Sequence, residues 1–266
     1  MTTHRIRLVA TDLDGTLLHT DGTVTARTRE VLNAVEELGV TVVFVTGRPV
    51  RWMDDLWEHV GGHGLAIVSN GGILYDVHEH AVRMARTIPV EVSLDVTKTL
   101  REAVPGTTFA MERIEGFAKE PGFMSRIPPP PDLRVGPAEE ILDEHVVKLL
   151  ARHEEMDPEA FWAEVESHIG HLVTTTWSSV GALVEMSAAG VTKASTLELL
   201  CAERGIDPSE VVAFGDMPND LAMLEWAGTS YAMANAHATV RELAGHVAPS
   251  NEEDGVAAVL AEIFDL

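Results

Sequence analysis

The sequence predicts an α/β fold, a doubly wound parallel sheet with an inserted α+β domain. Three observations lead there. Apolar runs of strand length alternate with amphipathic helical stretches from residue 6 to residue 68. The run 40–45 is almost wholly apolar and rich in β-branched residues, the mark of a strand covered on both faces. The same rhythm returns at Thr192, after a long middle stretch that lacks it.

Residues 6–10 read as the first strand, and Gly15 marks where the chain turns away. Thr25 is placed to cap a helix over 25–38, in which Val31, Leu32, Val35 and Leu38 share a face and which Gly39 ends. The strand 40–45 follows, then a helix over 49–60, a strand over 65–68 and the loop Ser69-Asn70-Gly71-Gly72. Between residues 73 and 187 the strands become short and less apolar, as at 73–75 and 109–112, with helices near 92–103 and 158–168. The prolines from Pro128 to Pro131 read as a surface loop. From Thr192 the first rhythm resumes: helix 193–204, strand 211–214, helix 220–226 and a short strand at 231–233. A core of residues 1–84 and 188–266, split by an insert of residues 85–187, accounts for this pattern. No internal repeat or low-complexity tail is visible.

Composition narrows the function classes. At about 100 to 200 residues per domain, 266 residues suit one large domain or two modest ones. The hydrophobic share of 45% is enough for a packed core. A net charge of −23 argues against nucleic acid or an anionic membrane as the main partner, since both need a basic face. Cys201 is the only cysteine, so an intrachain disulfide or a cysteine-based zinc cluster is ruled out and a reducing compartment fits. No long apolar segment precedes the first strand. The expectation is a cytoplasmic protein with neither signal peptide nor membrane span, monomeric or a small homo-oligomer.

Four loops share one placement, each following a core strand or opening a core helix. The first holds Asp12 and Asp14. Side chains alternate along a strand, so two acids at this spacing face one way only while the strand lasts. Left alone they would raise one another's pKa, so such a pair calls for a cation or a division of labour between acid and base. The second is Thr46-Gly47-Arg48, where a hydroxyl and exposed amides can hold an anion beside the helix that Pro49 begins. Lys193 opens its helix, and Gly215-Asp216-Met217-Pro218-Asn219-Asp220 follows the strand 211–214. In a parallel doubly wound sheet, ligands bind where such loops gather, at the carboxyl ends of the strands.

In this order the four motifs resemble the haloacid dehalogenase superfamily of phosphatases, with its Rossmann-like core. The long insert between the second and third motifs is most similar to the Cof-type subgroup, class IIB with a C2-type cap, whose members act on sugar phosphates. Asn70-Gly71, Met233-Ala234-Asn235-Ala236 and Asn251-Glu252-Glu253-Asp254-Gly255-Val256 also look like subgroup features. The resemblance implies an Mg2+-dependent phosphomonoester hydrolase for a small phosphorylated metabolite. It implies Asp12 as the nucleophile that forms an aspartyl-phosphate, and Asp14 as the acid for the leaving alcohol and then the base for water. Mg2+ is expected on hard oxygens: the carboxylates of Asp12 and Asp216, the backbone carbonyl of Asp14, and waters. Thr46, Gly47, Arg48, Lys193 and Asn219 are expected around the phosphoryl group, with Asn70 and Asp220 supporting and Asp220 orienting Lys193 or the metal's waters. The insert is expected to cover the site and to set specificity.

One departure stands out. The subgroup usually has glycine after the third-motif lysine, where this chain has Ala194, a good helix former that preserves the geometry. Gly61-Gly62-His63-Gly64 has the wrong spacing and place for dinucleotide binding. His59, His63, His78 and His80 straddle different elements and read as dispersed surface histidines. No residue pattern in the insert reads as a sugar, nucleotide or cofactor pocket. Two alternatives share the motif residues: a phosphomutase using the same phosphoaspartate step, and a non-catalytic binding protein on the same scaffold.

Overall fold

The structure is a computed structural model that describes residues 6–53, 57, 64–125, 130–177 and 181–266. In chain order its elements are β1 (Leu8–Thr11), α1 (Ala26–Glu37), β2 (Thr41–Val45), β3 (Leu65–Val68), β4 (Ile73–Asp76), β5 (Ala81–Ala85), α2 (Val90–Ala103), β6 (Thr108–Arg113), β7 (Phe117–Lys119), β8 (Arg134–Val135), α3 (Ala138–Ile141), β9 (Val146–Arg152), α4 (Pro158–Ile169), β10 (Val173–Thr176), β11 (Leu183–Ala188), α5 (Lys193–Arg204), β12 (Val211–Gly215), α6 (Leu221–Trp226), β13 (Thr229–Met233), α7 (Ala238–Leu243), β14 (His246–Ala248) and α8 (Gly255–Phe264).

The first sheet has the order β14-β13-β12-β1-β2-β3-β4-β5, parallel from β14 to β3. The Cα partners of Val9 are Val212 on one side and Val42 on the other, and all three are buried. That double coverage is why these strands read as unbroken apolar runs. It also sets β1 directly beside β12, some two hundred residues later in the chain.

The change of rhythm at residue 73 does not mark departure from this sheet. β4 and β5 continue it as an antiparallel edge. Antiparallel neighbours can be joined by a short turn, so no helix separates them and the alternation that betrays parallel strands stops early.

The intervening chain builds a second sheet, β10-β11-β9-β6-β7-β8, antiparallel except for the β7–β8 pair. Val96 and Leu100 of α2 and Phe161 and Val165 of α4 cover one face, against Phe109, Met111, Leu149 and Ala151. The other face carries Ala110, Phe117, Phe123 and Leu150 and looks toward the first sheet's strand ends. Residue 109 thus lies in a central, buried strand. β9 beside it and β11 beyond β9 go unpredicted because Lys148, Arg152 and Glu185 break their apolar pattern.

Thr25 caps α1 through its hydroxyl, which accepts from the Thr28 amide. Of the helix expected over 49–60, the structure shows a 3-10 turn at Val50–Trp52; residues 54–56 and 58–63, with His59 and His63, lie outside the described residues. So do Pro128 and Pro129. The helix expected from Asp220 begins with a 3-10 turn at Pro218–Asp220, because proline fixes the first turn, and becomes α-helical at Leu221.

The 69–72 loop is a tight turn in which Asn70 and Gly71 have φ of 55° and 98°. A Cβ at Gly71 would lie 2.2 Å from the Thr192 carbonyl oxygen, so backbone meets backbone where α5 begins. Gly71→Ala is therefore expected to lose at least about 1–3 kcal/mol from backbone strain alone. Urea unfolding checks it, and an unchanged midpoint at equal slope would refute this close approach.

Candidate active site

The carboxyl ends of β1, β2 and β12 and the start of α5 bring the four motifs to one place, beside the turn that ends β3. Asp12 follows β1 directly, and its amide donates to the Phe214 carbonyl across the β1–β12 seam at 3.0 Å. Gly15, at φ +78°, lets the chain turn so closely that a Cβ there would sit 2.4 Å from Asp216 Oδ2. Thr16 Oγ1 donates to Asp216 Oδ1 at 2.8 Å, which locks the first loop to the fourth.

Lys193 is the first residue of α5 and only 1% exposed. Its ammonium donates to Asp12 Oδ1 and to Asp220 Oδ1, each at 2.6 Å. Burial alone would lower its pKa, but the two carboxylates more than offset that and hold it above the ordinary value. The second oxygen of Asp220 accepts from the Asp216 and Met217 amides at 3.0 and 3.1 Å. Asp220 therefore fixes both the lysine and the loop that carries Asp216.

One carboxylate oxygen from each of Asp12, Asp216 and Asp220 lies within 4.8 Å of the other two, an all-oxygen set suited to a hard divalent cation. Burial pushes Asp12 well above the usual carboxylate range despite Lys193. Asp216 is pushed up to about 7 by burial and by Asp220. Both shifts arise first from burial and then from neighbouring carboxylates, whose repulsion a cation would offset. Since Asp220 has both oxygens engaged, Asp12 and Asp216 are the side chains free to hold such an ion. Asp14's side chain stands apart from this cluster. It is 58% exposed and paired with Arg48, whose Nε donates to Oδ2 at 2.8 Å and Nη2 to Oδ1 at 2.5 Å. This bidentate bond raises the Arg48 pKa.

Thr46 is buried, and its hydroxyl accepts from the Arg48 amide at 3.1 Å, leaving its hydrogen to donate elsewhere. Asn219 Nδ2 donates to Asn70 Oδ1 at 3.1 Å, and a Cβ on Gly47 would meet that same Oδ1 at 2.9 Å. Ala194, the second residue of α5, is buried and lies within the regular helix. The last two sequence features buttress the first motif: Asn235 Nδ2 donates to the Gly15 carbonyl at 2.7 Å, and Asn251 Nδ2 to the Leu18 carbonyl at 2.9 Å.

Between the two sheets lies a cavity of about 340 Å³, within the range of small-molecule sites. Asp12, Asp14, Gly47, Arg48 and Asn219 line it from the first sheet. Glu112, Lys148, Arg152 and Glu185 line it from the second, beside Phe117, Phe123 and Leu150. These four charged residues carry no sequence motif. For two of them the one signal is a charge flanked by apolar strand residues, Lys148 in Val-Val-Lys-Leu-Leu and Glu185 in Leu-Val-Glu-Met; Glu112 and Arg152 sit at strand ends next to other charged or polar residues and carry none.

Residues 9–260 match the family of haloacid dehalogenase-like hydrolases. The chain belongs to that family. Its long insert lies between Arg48 and Lys193, where the Cof-type resemblance expects it. This hydrolase is 30% identical to the pyridoxal phosphate phosphatase of Escherichia coli strain K12, over 94% of this chain and 96% of that one. It is 28% identical to a 5-amino-6-(5-phospho-D-ribitylamino)uracil phosphatase of Bacillus subtilis strain 168, over 97% and 98%. Its fold matches a superfamily phosphatase from Bacteroides thetaiotaomicron with a TM-score of 0.83 at 24% identity, over 100% and 97%. Among the described residues no helix is long and apolar enough to cross a membrane.

Glu112 offers a test of the charged cavity wall. It receives Arg51 Nη2 at 2.6 Å, yet burial, with Glu185 nearby, raises it from 4.5 to about 7 despite Arg51 and Lys148. A raised folded-state pKa favours the protonated form, so stability present below pH 4.5 is lost as pH rises through about 7. Between pH 5 and pH 8 the native chain should lose roughly 2–3 kcal/mol more than Glu112→Gln does. Urea unfolding at the two pH values checks it, and an equal loss of stability in the native chain and in Glu112→Gln would refute it.

Proposed function

We propose that this hydrolase is an Mg2+-dependent phosphatase that cleaves a small phosphorylated metabolite, sugar phosphate-like in size, through an aspartyl-phosphate on Asp12. The observation that carries the reading is the buried Lys193 ammonium, shared at 2.6 Å between Asp12 and Asp220 where four loops converge. A lysine so enclosed is held for its charge. One carboxylate oxygen of Asp12 is the attacking atom. The Asp12 oxygen bonds to phosphorus as the ester P–O bond breaks, and Asp14 supplies the proton to the leaving alkoxide. Water then attacks the phosphoenzyme, Asp14 takes its proton, and the bond to Asp12 breaks to release inorganic phosphate.

Thr46, the Gly47 amide, Lys193 and Asn219 supply donors around the phosphoryl oxygens, where charge gathers in the transition state. Arg48 holds Asp14 at the cavity wall, and a phosphate dianion competes for the same guanidinium. When bound through Asp12, Asp216 and the Asp14 carbonyl, Mg2+ would screen the anionic nucleophile from the anionic substrate. Residues 85–187 act as a cap that excludes water from the cavity and contacts the alcohol portion. Two relatives named for different ring-bearing phosphate esters support a small metabolite without fixing which one. The single buried Cys201 agrees with a reducing, cytoplasmic setting.

Cleavage of p-nitrophenyl phosphate tests the reading. EDTA should abolish it and Mg2+ restore it. Asp12→Asn should release no phosphate above background; ordinary turnover by this variant would end the nucleophile assignment. Asp14→Asn should retain little activity yet unfold within about 1 kcal/mol of the native chain, because an exposed ion pair contributes little to stability. Near-native turnover would remove its acid/base role. With a hexose phosphate, an isomerised ester in place of free phosphate would favour the mutase alternative, and no metal-dependent cleavage of either compound would favour the binding-protein alternative.

A further inference from the structure

Glu185 belongs to the second sheet, but one of its two carboxylate oxygens is held by a loop of the first. It lies on β11 and is buried. Its Oε1 accepts from Lys148 Nζ at 2.7 Å and its Oε2 from Asn70 Nδ2 at 2.8 Å. Both partners reach onward. Lys148, also buried, donates its ammonium to the Gly47 carbonyl at 2.9 Å. Asn70 offers Oδ1 to Asn219 Nδ2 at 3.1 Å. One carboxylate therefore joins β9 and β11 to the loops that end β2, β3 and β12. Gly47 and Asn219 are two residues assigned above to the phosphoryl group. β11 itself runs on, five residues past its end, into Lys193.

Asn70 can serve as the middle link because of its backbone. At φ 55° it holds a left-handed conformation that asparagine tolerates better than other side-bearing residues. That conformation aims its amide across the seam. The amide's two ends are then fixed in sense: the nitrogen faces the Glu185 carboxylate, so the oxygen faces Asn219. Without an acceptor at residue 185 the choice would be left open, and Asn219 would lose its orientation.

We propose that Glu185 is a positioning residue for the phosphoryl-transfer reaction: seating of the second sheet over the first sets the Gly47 loop and the Asn219 amide through this one carboxylate. The proposal rests on the phosphatase reading above. Small misplacements of groups that bind a transition state cost turnover far more than they cost stability.

The test uses the full chain with Mg2+, p-nitrophenyl phosphate for turnover, and calorimetric binding of inorganic phosphate as a readout independent of turnover. Glu185→Ala should lower kcat about 10- to 100-fold and weaken phosphate binding about tenfold. Glu185→Gln keeps an acceptor for Asn70 and should recover part of both. Asn70→Ala should reproduce the loss, and Glu185→Ala with Asn70→Ala should be no worse than the weaker single variant, since both break one linkage. Should Glu185→Ala fail to fold, Glu185→Gln and Asn70→Ala carry the test. Native kcat and native phosphate affinity in these variants, or losses that multiply in the double variant, would overturn the proposal. A native chain with no metal-dependent cleavage would defeat the phosphatase reading instead, and the phosphate-binding comparison would still decide the role of Glu185.

Discussion

Everything at this site is arranged around a lysine that water does not reach. An ammonium enclosed by protein is tolerated only when its charge is met by acceptors at hydrogen-bond distance. Lys193 meets Asp12 and Asp220, which come from strands β1 and β12, while its own helix begins next to the turn after β3. The lysine thus requires three separate chain segments to arrive in register. The parallel pairing of β1 with β12 supplies that register residue by residue. In return, the acids that repel one another acquire a fixed counter-charge, and the loops between them need not be held by packing alone.

The second constraint is closeness. Gly15 stands where any side chain would strike Asp216, and Gly71 where any would strike the Thr192 carbonyl. These contacts draw the first loop onto the fourth and the third-strand turn onto α5. Asn235 and Asn251 then tie the first loop from behind. This compression gathers the carboxylates of Asp12 and Asp216 into an all-oxygen set that suits a hard cation.

The sequence carried the parallel core and the site loops for a physical reason. Strands buried on both faces must be apolar throughout, and polar residues at their ends stand out against that background, as Asp12, Thr46 and Asp216 do. The antiparallel edge β4 and β5 was harder to read, since a hairpin leaves no helix to announce it. Lys148 and Glu185 were harder still. Each interrupts an apolar strand by one charge, and only the pairing of β9 with β11 brings the two together. Asp220 illustrates a middle case: its place in a motif marked it for a supporting role, but its division of labour between one ammonium and two amides depends on the turn that Pro218 starts.

The strand order also dictates when the molecule can complete itself during synthesis. The second sheet is drawn from one uninterrupted stretch, residues 108–188, with mostly local partners, and can form as soon as that stretch has emerged from the ribosome. The first sheet cannot. Its central strand β1 is made at the outset, yet one flank stays bare until β12 appears some two hundred residues later. A nascent chain therefore carries an exposed edge of Leu8, Val9 and Ala10 for most of its translation, and the inserted sheet forms before the sheet it interrupts is whole.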